Sequence, residues 1–291
     1  MQVDRYGDAQ DKIEPSHMSN ASTPPRCDRL IFGGSFDPPH RGHLAILRYA
    51  LCANLAPVID LVPAAVSPFK TDAPPTSGED RRRLLEAALL DLAEGLDLLD
   101  SGEGDPGTAD ESRSAAGAID RNHLADEPVD LSRVHLRTLE LERPPPSYTA
   151  DTCATLRKKY PGQRIGLLIG SDSLHDFERW TRVEEILAEH PVYVFRREGE
   201  SLEDMEQMIA HLLKKISKPI PEPFAAPMTA GPDNRPGFVA LDNPLFPCSS
   251  TNVRGILTRH RSTKHNSAGD DSDCLSPRVA QIIAERGLYS G

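Results

Sequence analysis

His40 and His43 stand three residues apart in the run Gly33-Gly34-Ser35-Phe36-Asp37-Pro38-Pro39-His40-Arg41-Gly42-His43-Leu44. No other pair of side chains in the chain is as well placed, by type and spacing, to handle an anion. Leu30, Ile31 and Phe32 just upstream read as the end of a buried parallel strand, and Gly33-Gly34 lets the backbone turn sharply and approach a ligand without Cβ interference. A helix starting near His43 puts free N–H groups and the positive end of its dipole where the two histidines lie. The run is a phosphate site in outline.

The elements that must hold this site follow from periodicity. A helix over roughly Leu44–Leu55 and a second apolar strand over Val58–Val62 complete a β-α-β unit, expected to be parallel with a right-handed crossover. Ser77, with Asp80 in the first turn, predicts the N-cap of a helix running to Leu92. Its Arg81, Arg82 and Arg83 read as a solvated face. Val134–Leu141 alternates like a strand until Pro144-Pro145-Pro146 stops it, and Thr149–Tyr160 reads as helix. Arg164–Ile169 predicts a buried strand ending at Gly170-Ser171-Asp172, a turn of the kind that lines ligand clefts. Trp180–Ala188 reads as helix and Val192–Phe195 as strand. Leu202, Met205, Ile209, Leu212, Leu213 and Ile216 recur at helical spacing. Phe238–Leu241 predicts the next strand, Cys248–Arg254 opens a helix, and a last helix starts at Ser276 or Pro277 and ends before Gly287. The alternation predicts an α/β fold: a Rossmann-like open parallel sheet with helices on both faces and C-terminal helices beside the site.

Polar, low-periodicity stretches divide the chain. Residues 1–26 read as a disordered tail, and 27–291 as a single domain with insertions at about 97–133 and 218–236. With 33 basic and 44 acidic residues the net charge is −11, which argues against a general nucleic-acid or anionic-membrane surface and makes any anion site local. No apolar run reaches the roughly 18 residues of a membrane span. Cys27, Cys52, Cys153, Cys248 and Cys274 are odd in number and lack C-x-x-C or zinc-like spacing, so unpaired, reduced thiols in a cytoplasmic protein are expected.

His40-Arg41-Gly42-His43 resembles the H-x-G-H signature of the nucleotidylyltransferase superfamily. The full G-G-S-F-D-P-P-H-x-G-H run is similar to that of the nicotinate or nicotinamide mononucleotide adenylyltransferases. Ser249-Ser250-Thr251-Asn252-Val253-Arg254 resembles the second signature, S-S-T-x-x-R, at a helix opening where hydroxyls, N–H groups and a guanidinium suit phosphate oxygens. The resemblance implies ATP contacts from Gly33, Gly34, Ser35, Phe36, His40, His43, Ser249, Ser250, Thr251 and Arg254. His40, His43 and Arg254 would be catalytic, and a neighbouring polyphosphate would favour the charged histidines. It implies direct displacement at the α-phosphorus of ATP, with magnesium accompanying the nucleotide and no protein nucleophile.

Four further residues speak to the mononucleotide through the same resemblance. Lys70, in Ser67-Pro68-Phe69-Lys70, is similar to the lysine of a family loop and is a candidate ligand for triphosphate or mononucleotide phosphate. Thr149, in Pro146-Ser147-Tyr148-Thr149-Ala150-Asp151-Thr152, matches P-S-Y-T-x-D-T and implies a place at the pyridine pocket. Trp180 matches the family's ring-stacking tryptophan. Asp172, in a G-x-D turn, would accept from a ribose or hold a neighbouring loop. The expected substrates are ATP and nicotinate mononucleotide. A nicotinamide-preferring enzyme or a non-catalytic nucleotide-binding scaffold on the same fold are the alternatives. Intact His40, His43 and Arg254 weigh against the scaffold.

Overall fold

A computed structural model describes residues 27–68, 75–96, 129–197, 199–216, 237–262 and 274–289. The 1–26 tail, most of the first insertion, the whole 218–236 segment and Lys70 lie outside them.

Six parallel strands form one sheet in the order β3-β2-β1-β4-β5-β6. They are β1 Arg29–Gly34, β2 Val58–Pro63, β3 Val134–Leu136, β4 Ile165–Gly170, β5 Val192–Phe195 and β6 Phe238–Leu241. The order reverses between β1 and β4, where Phe32 lies beside Leu168. In an open α/β sheet the crevice outside the carboxyl ends at such a reversal is where ligands bind.

Strand periodicity explains the two-sided core. On one face Leu30 and Phe32 pack with α1 (Arg41–Cys52) and α2 (Gly78–Ala93). On the other, Ile31 packs with α3 (Thr149–Lys159), α4 (Val183–Glu189) and α5 (Leu202–Lys215). The C-terminal helices are α6 (Ser250–Ser262) and α7 (Pro277–Arg286), and Val253, Val279 and Ile283 join the first face. Each fully buried Leu, Ile or Phe contributes roughly 1.5–3 kcal/mol. Met205 is fully buried among them. The fully buried Asp60 on β2 is held by Arg29, at 2.8 and 2.9 Å, and by Arg137 at 2.8 Å. The buried charge is thereby paired and hydrogen-bonded.

Several expectations change. The third strand ends at Leu136 rather than Leu141, because Glu142 N–H bonds back to Thr138 O at 3.1 Å and closes a turn. Trp180 is not helical: a 3-10 helix, Ser171–Arg179, precedes it and α4 begins at Val183. Cys248 and Cys274 form a disulfide with Cα atoms 5.6 Å apart, so the expectation of unpaired thiols holds only for Cys27, Cys52 and Cys153. Arg81 is 1 % exposed rather than solvated. Arg82 and Arg83 do lie on the outer face, paired with Glu79. Ser77 caps α2 as expected, its Oγ accepting from Asp80 N–H at 3.1 Å.

Candidate active site

β1 delivers Gly33-Gly34 to the carboxyl edge of the sheet, and the chain turns there under tight steric control. A Cβ on Gly34 would stand 3.1 Å from the Phe36 ring. Phe36 itself takes a left-handed backbone, φ 47°, a conformation L side chains adopt at a cost. Its ring is buried, meets Phe32 edge-on at 5.5 Å and lies 4.9 Å from the His43 ring. The side chain of Phe36 is therefore a platform beneath His43.

His40 is the N-cap of α1, which begins at Arg41, two residues earlier than the start read from sequence. The His40 and His43 rings stack at 3.7 Å, and His43 Nδ1 accepts the His40 backbone N–H at 3.2 Å. With Nδ1 accepting, the neutral ring of His43 carries its proton on Nε2 and is a donor there. Gly42 makes the stack possible, since a Cβ at that position would fall 3.1 Å from the His40 ring. Burial, reinforced by the positive charge of Arg197, lowers His40 to about 3. Burial, His40 and Arg197 hold His43 well below the usual histidine value. Both rings are neutral here, in contrast to the charged forms expected beside a polyphosphate. His40 Nδ1 is buried and lacks a hydrogen-bond partner among the described residues. Such an orphaned polar atom fits a site completed by an oxygen-rich ligand.

The second motif docks directly on the first. Ser250 Oγ donates to Pro38 O at 3.0 Å across 212 residues of sequence. Arg254 Nη1 donates to Asp37 O at 2.5 Å, and its Nη2 to Thr251 Oγ1 at 3.4 Å. Ser249 Oγ accepts the Asn252 N–H at 3.2 Å, a capping bond at the start of α6. The starts of α1 and α6 thus meet across the Asp37-Pro38 loop, each bringing free N–H groups and a positive dipole end.

The mononucleotide candidates occupy a second group. Thr149 is the first residue of α3, and Ser147 Oγ anchors the preceding turn by accepting Ala65 N–H at 2.9 Å. Trp180 is half-buried and stacks on Phe177 at 4.7 Å. An ion pair between Asp151 on α3 and Arg182 ties the Thr149 and Trp180 segments together. Asp172 is exposed, and its Oδ1 accepts from Arg197 Nε at 3.3 Å. No described contact joins Thr149 or Trp180 to the histidines.

Sequence reasoning missed Arg197, Arg81 and Tyr289. Arg197 follows β5, lies 5.2 Å over the Phe195 ring and adds, after burial, to the lowering of both histidines. Arg81 reaches the site only through the fold. Tyr289 donates to the Asp37 carboxylate at 2.7 Å from the end of the described chain. No periodicity or spacing signals any of the three.

A parallel sheet with paired helix N-termini and a histidine stack at its reversal point defines a nucleotide-binding α/β protein of the nucleotidyl-transferring class. A family model described as cytidylyltransferase-like matches residues 31–256, and the chain belongs to that family. Within it, the chain belongs among the nicotinate-nucleotide adenylyltransferases. It is 34 % identical over 259 residues to a Chlorobium luteolum protein named "Probable nicotinate-nucleotide adenylyltransferase", covering 89 % of this chain and 96 % of the relative. A Prosthecochloris aestuarii protein of the same name is 31 % identical, covering 89 % and 97 %. The fold is shared with Plasmodium falciparum nicotinic acid mononucleotide adenylyltransferase complexed with NaAD, at TM-score 0.58 and 18 % identity, covering 90 % of this chain and 96 % of that one.

Nucleotidyl transfer generally uses a divalent metal. Among the described residues no group of three or more His, Cys, Asp and Glu side chains could cage one. The donors gathered at the site, two histidines, Arg254 and hydroxyls, match polyphosphate oxygens, so the residues fit a metal that arrives on the nucleotide. No helix among the described residues is long and apolar enough to cross a membrane.

Proposed function

We propose that this protein transfers the adenylyl group of ATP to nicotinate mononucleotide, forming deamido-NAD and pyrophosphate in NAD biosynthesis. The observation that carries the reading is the docking of Ser250 and Arg254 on the Asp37-Pro38 loop, beside the His40–His43 stack. It builds one donor-rich phosphate site from two distant motifs.

In this reading a 5′-phosphate oxygen of the mononucleotide attacks the α-phosphorus, the bond to the bridging oxygen breaks, and that oxygen leaves on pyrophosphate with the bonding pair. The protein supplies position and electrostatics. Ser249, Ser250, Thr251 and the N-termini of α1 and α6 receive the ATP phosphates, with Gly33, Gly34 and Ser35 providing the close backbone. His43 donates from Nε2, and His40 offers its unpartnered Nδ1, protonated once a polyphosphate lies against it. Arg254 adds a fixed guanidinium. When bound with the polyphosphate that these donors hold, magnesium would supply further positive charge against the leaving group. Thr149, Trp180, Asp172 and Lys70 receive the mononucleotide, Trp180 by stacking on the pyridine ring.

The test is an assay of purified protein with ATP and magnesium against nicotinate and nicotinamide mononucleotides, each dinucleotide and pyrophosphate being separated by chromatography. A higher kcat/KM for the acid is expected. A higher value for the amide overturns the pyridine-pocket assignment, and no product from either overturns the activity.

A further inference from the structure

We infer that Arg81 is a positioning residue for the transfer, holding the loop that receives ATP at a fixed separation from the turn that receives the mononucleotide. The inference rests on the activity proposed above. Arg81 lies on α2 and is 1 % exposed. Its four described hydrogen bonds all go to backbone carbonyls. Nη1 donates to Ser35 O at 2.8 Å and to Ala64 O at 2.6 Å, Nη2 to Ala65 O at 3.2 Å, and Nε to Thr76 O at 2.8 Å.

Those acceptors come from three segments with different tasks. Ser35 belongs to the glycine-rich loop after β1, on the ATP side. Ala64 and Ala65 follow β2, and Ala65 N–H holds Ser147 Oγ at 2.9 Å while Ser147 N–H holds Val66 O at 2.9 Å. Ser147 leads straight into Thr149, the first residue of α3, on the mononucleotide side. The linkage Ser35–Arg81–Ala65–Ser147 therefore spans the two substrate loops through one rigid fork. The third segment, at Thr76, also donates its N–H to Asp37 Oδ2 at 3.3 Å, which fastens the other end of the first motif. A planar guanidinium with five fixed donors can make this set of bonds, whereas an ammonium on a flexible stem cannot. In-line displacement between two bound polyanions is steep in distance, with a misplacement of 1 Å worth about 100-fold in rate.

The experiment compares Arg81→Lys and Ser147→Ala with the wild type. Equilibrium dissociation constants for ATP and for nicotinate mononucleotide are measured separately, along with kcat, melting temperature and amide exchange. Positioning predicts kcat down by about tenfold or more in Arg81→Lys while each dissociation constant moves by less than about threefold, a split that simple weakening of one site cannot give. Ser147→Ala, which cuts the same linkage on the half-buried mononucleotide side, keeps the proposal testable if Arg81→Lys does not fold. It predicts the same split at smaller size, and the two losses are less than additive in the double variant. Faster exchange confined to residues 34–36 and 64–66 is expected, whereas a general rise across α2 and β2 would mark a merely structural role. Unchanged kcat in a folded variant, or a loss matched by weaker binding of one substrate, overturns the inference. A wild type that forms no dinucleotide overturns the activity instead, and the exchange pattern still decides whether Arg81 clamps the two loops.

Discussion

His43 Nδ1 takes the backbone N–H of His40 at 3.2 Å while the two rings stack with centroids 3.7 Å apart. The bond fixes which nitrogen of His43 bears the proton, and the stack fixes where that nitrogen points relative to His40. A side chain locked in this way loses little further freedom when charge develops on a phosphate, which is the condition for electrostatic stabilisation of a transition state.

Replacing His43 with alanine removes that donor and leaves the Phe36 ring, 4.9 Å away, without its neighbour. The expected loss is about 10²–10³ in kcat, the usual range for one transition-state donor, with a smaller change in KM for ATP. Steady-state kinetics on folded His43→Ala checks this, and near wild-type kcat would remove His43 from the chemistry.

Stability should fall with acid before the carboxylates titrate. His40 is lowered from 6.5 to about 3 in the folded protein, chiefly by burial, and His43 and His190 are lowered too. The unfolded chain therefore binds protons below about pH 6.5 that the folded chain refuses. The stability these neutral rings contribute is fully present above about 6.5 and is lost progressively as pH falls toward about 3. Each ring contributes a slope of at most about 1.4 kcal/mol per pH unit. Urea midpoints at pH 8 and pH 5.5 should differ in that direction, and His40→Gln should flatten the dependence. An unchanged midpoint across this range would contradict the neutral stack.

The sequence shows most of the frame and little of its cross-bracing. Leu30–Phe32 and Val192–Phe195 are legible because a strand buried on both faces needs a short apolar run, which local composition displays. Both the His40–His43 and the Ser249–Arg254 segments are legible as motifs. That Ser250 and Arg254 rest on Pro38 and Asp37 is a property of the folded chain. Val134–Leu141 misleads because its alternation continues past the point where Thr138 and Glu142 close a turn and Glu140 buries its carboxylate against Thr152. Arg81 misleads more deeply. Arginines at three successive helix positions point in different directions, so they need not share one solvated face, and only tertiary structure shows which of them turns inward and that it finds carbonyls there.

The Cys248–Cys274 disulfide joins the residue before Ser249 to the approach of α7, and Cys248 also packs against α1, its Cβ lying 3.4 Å from where a Gly42 Cβ would stand. The bridge spans 26 residues, for which chain entropy gives about 3.5 kcal/mol of stabilisation. Dithiothreitol and Cys274→Ser should lower the melting temperature by equal amounts, with no additional effect of the reductant on the variant. Equal melting of reduced and untreated wild type, with all five cysteines alkylated in the untreated protein, would show the bridge absent in solution.

Trp180 offers the cleanest separation of the two substrates. It is half-buried, leans on Phe177 at 4.7 Å, and sits beside the Arg182–Asp151 pair that holds the start of α3. A stacking face contributes roughly 0.5–1.5 kcal/mol, so Trp180→Ala should raise KM for the mononucleotide by about three- to tenfold. KM for ATP should stay within about twofold, because the proposed ATP donors lie on the β1 and α6 loops and share no described contact with Trp180. Trp180→Phe keeps an aromatic face and should restore most of the affinity. If Trp180→Ala instead lowers the melting temperature and leaves the mononucleotide KM unchanged, the ring is a cover for Phe177 and the stacking partner must be sought elsewhere. Equal increases in both KM values would show that Phe177 transmits the loss through the sheet, since its ring also meets Phe238 of β6 at 5.1 Å.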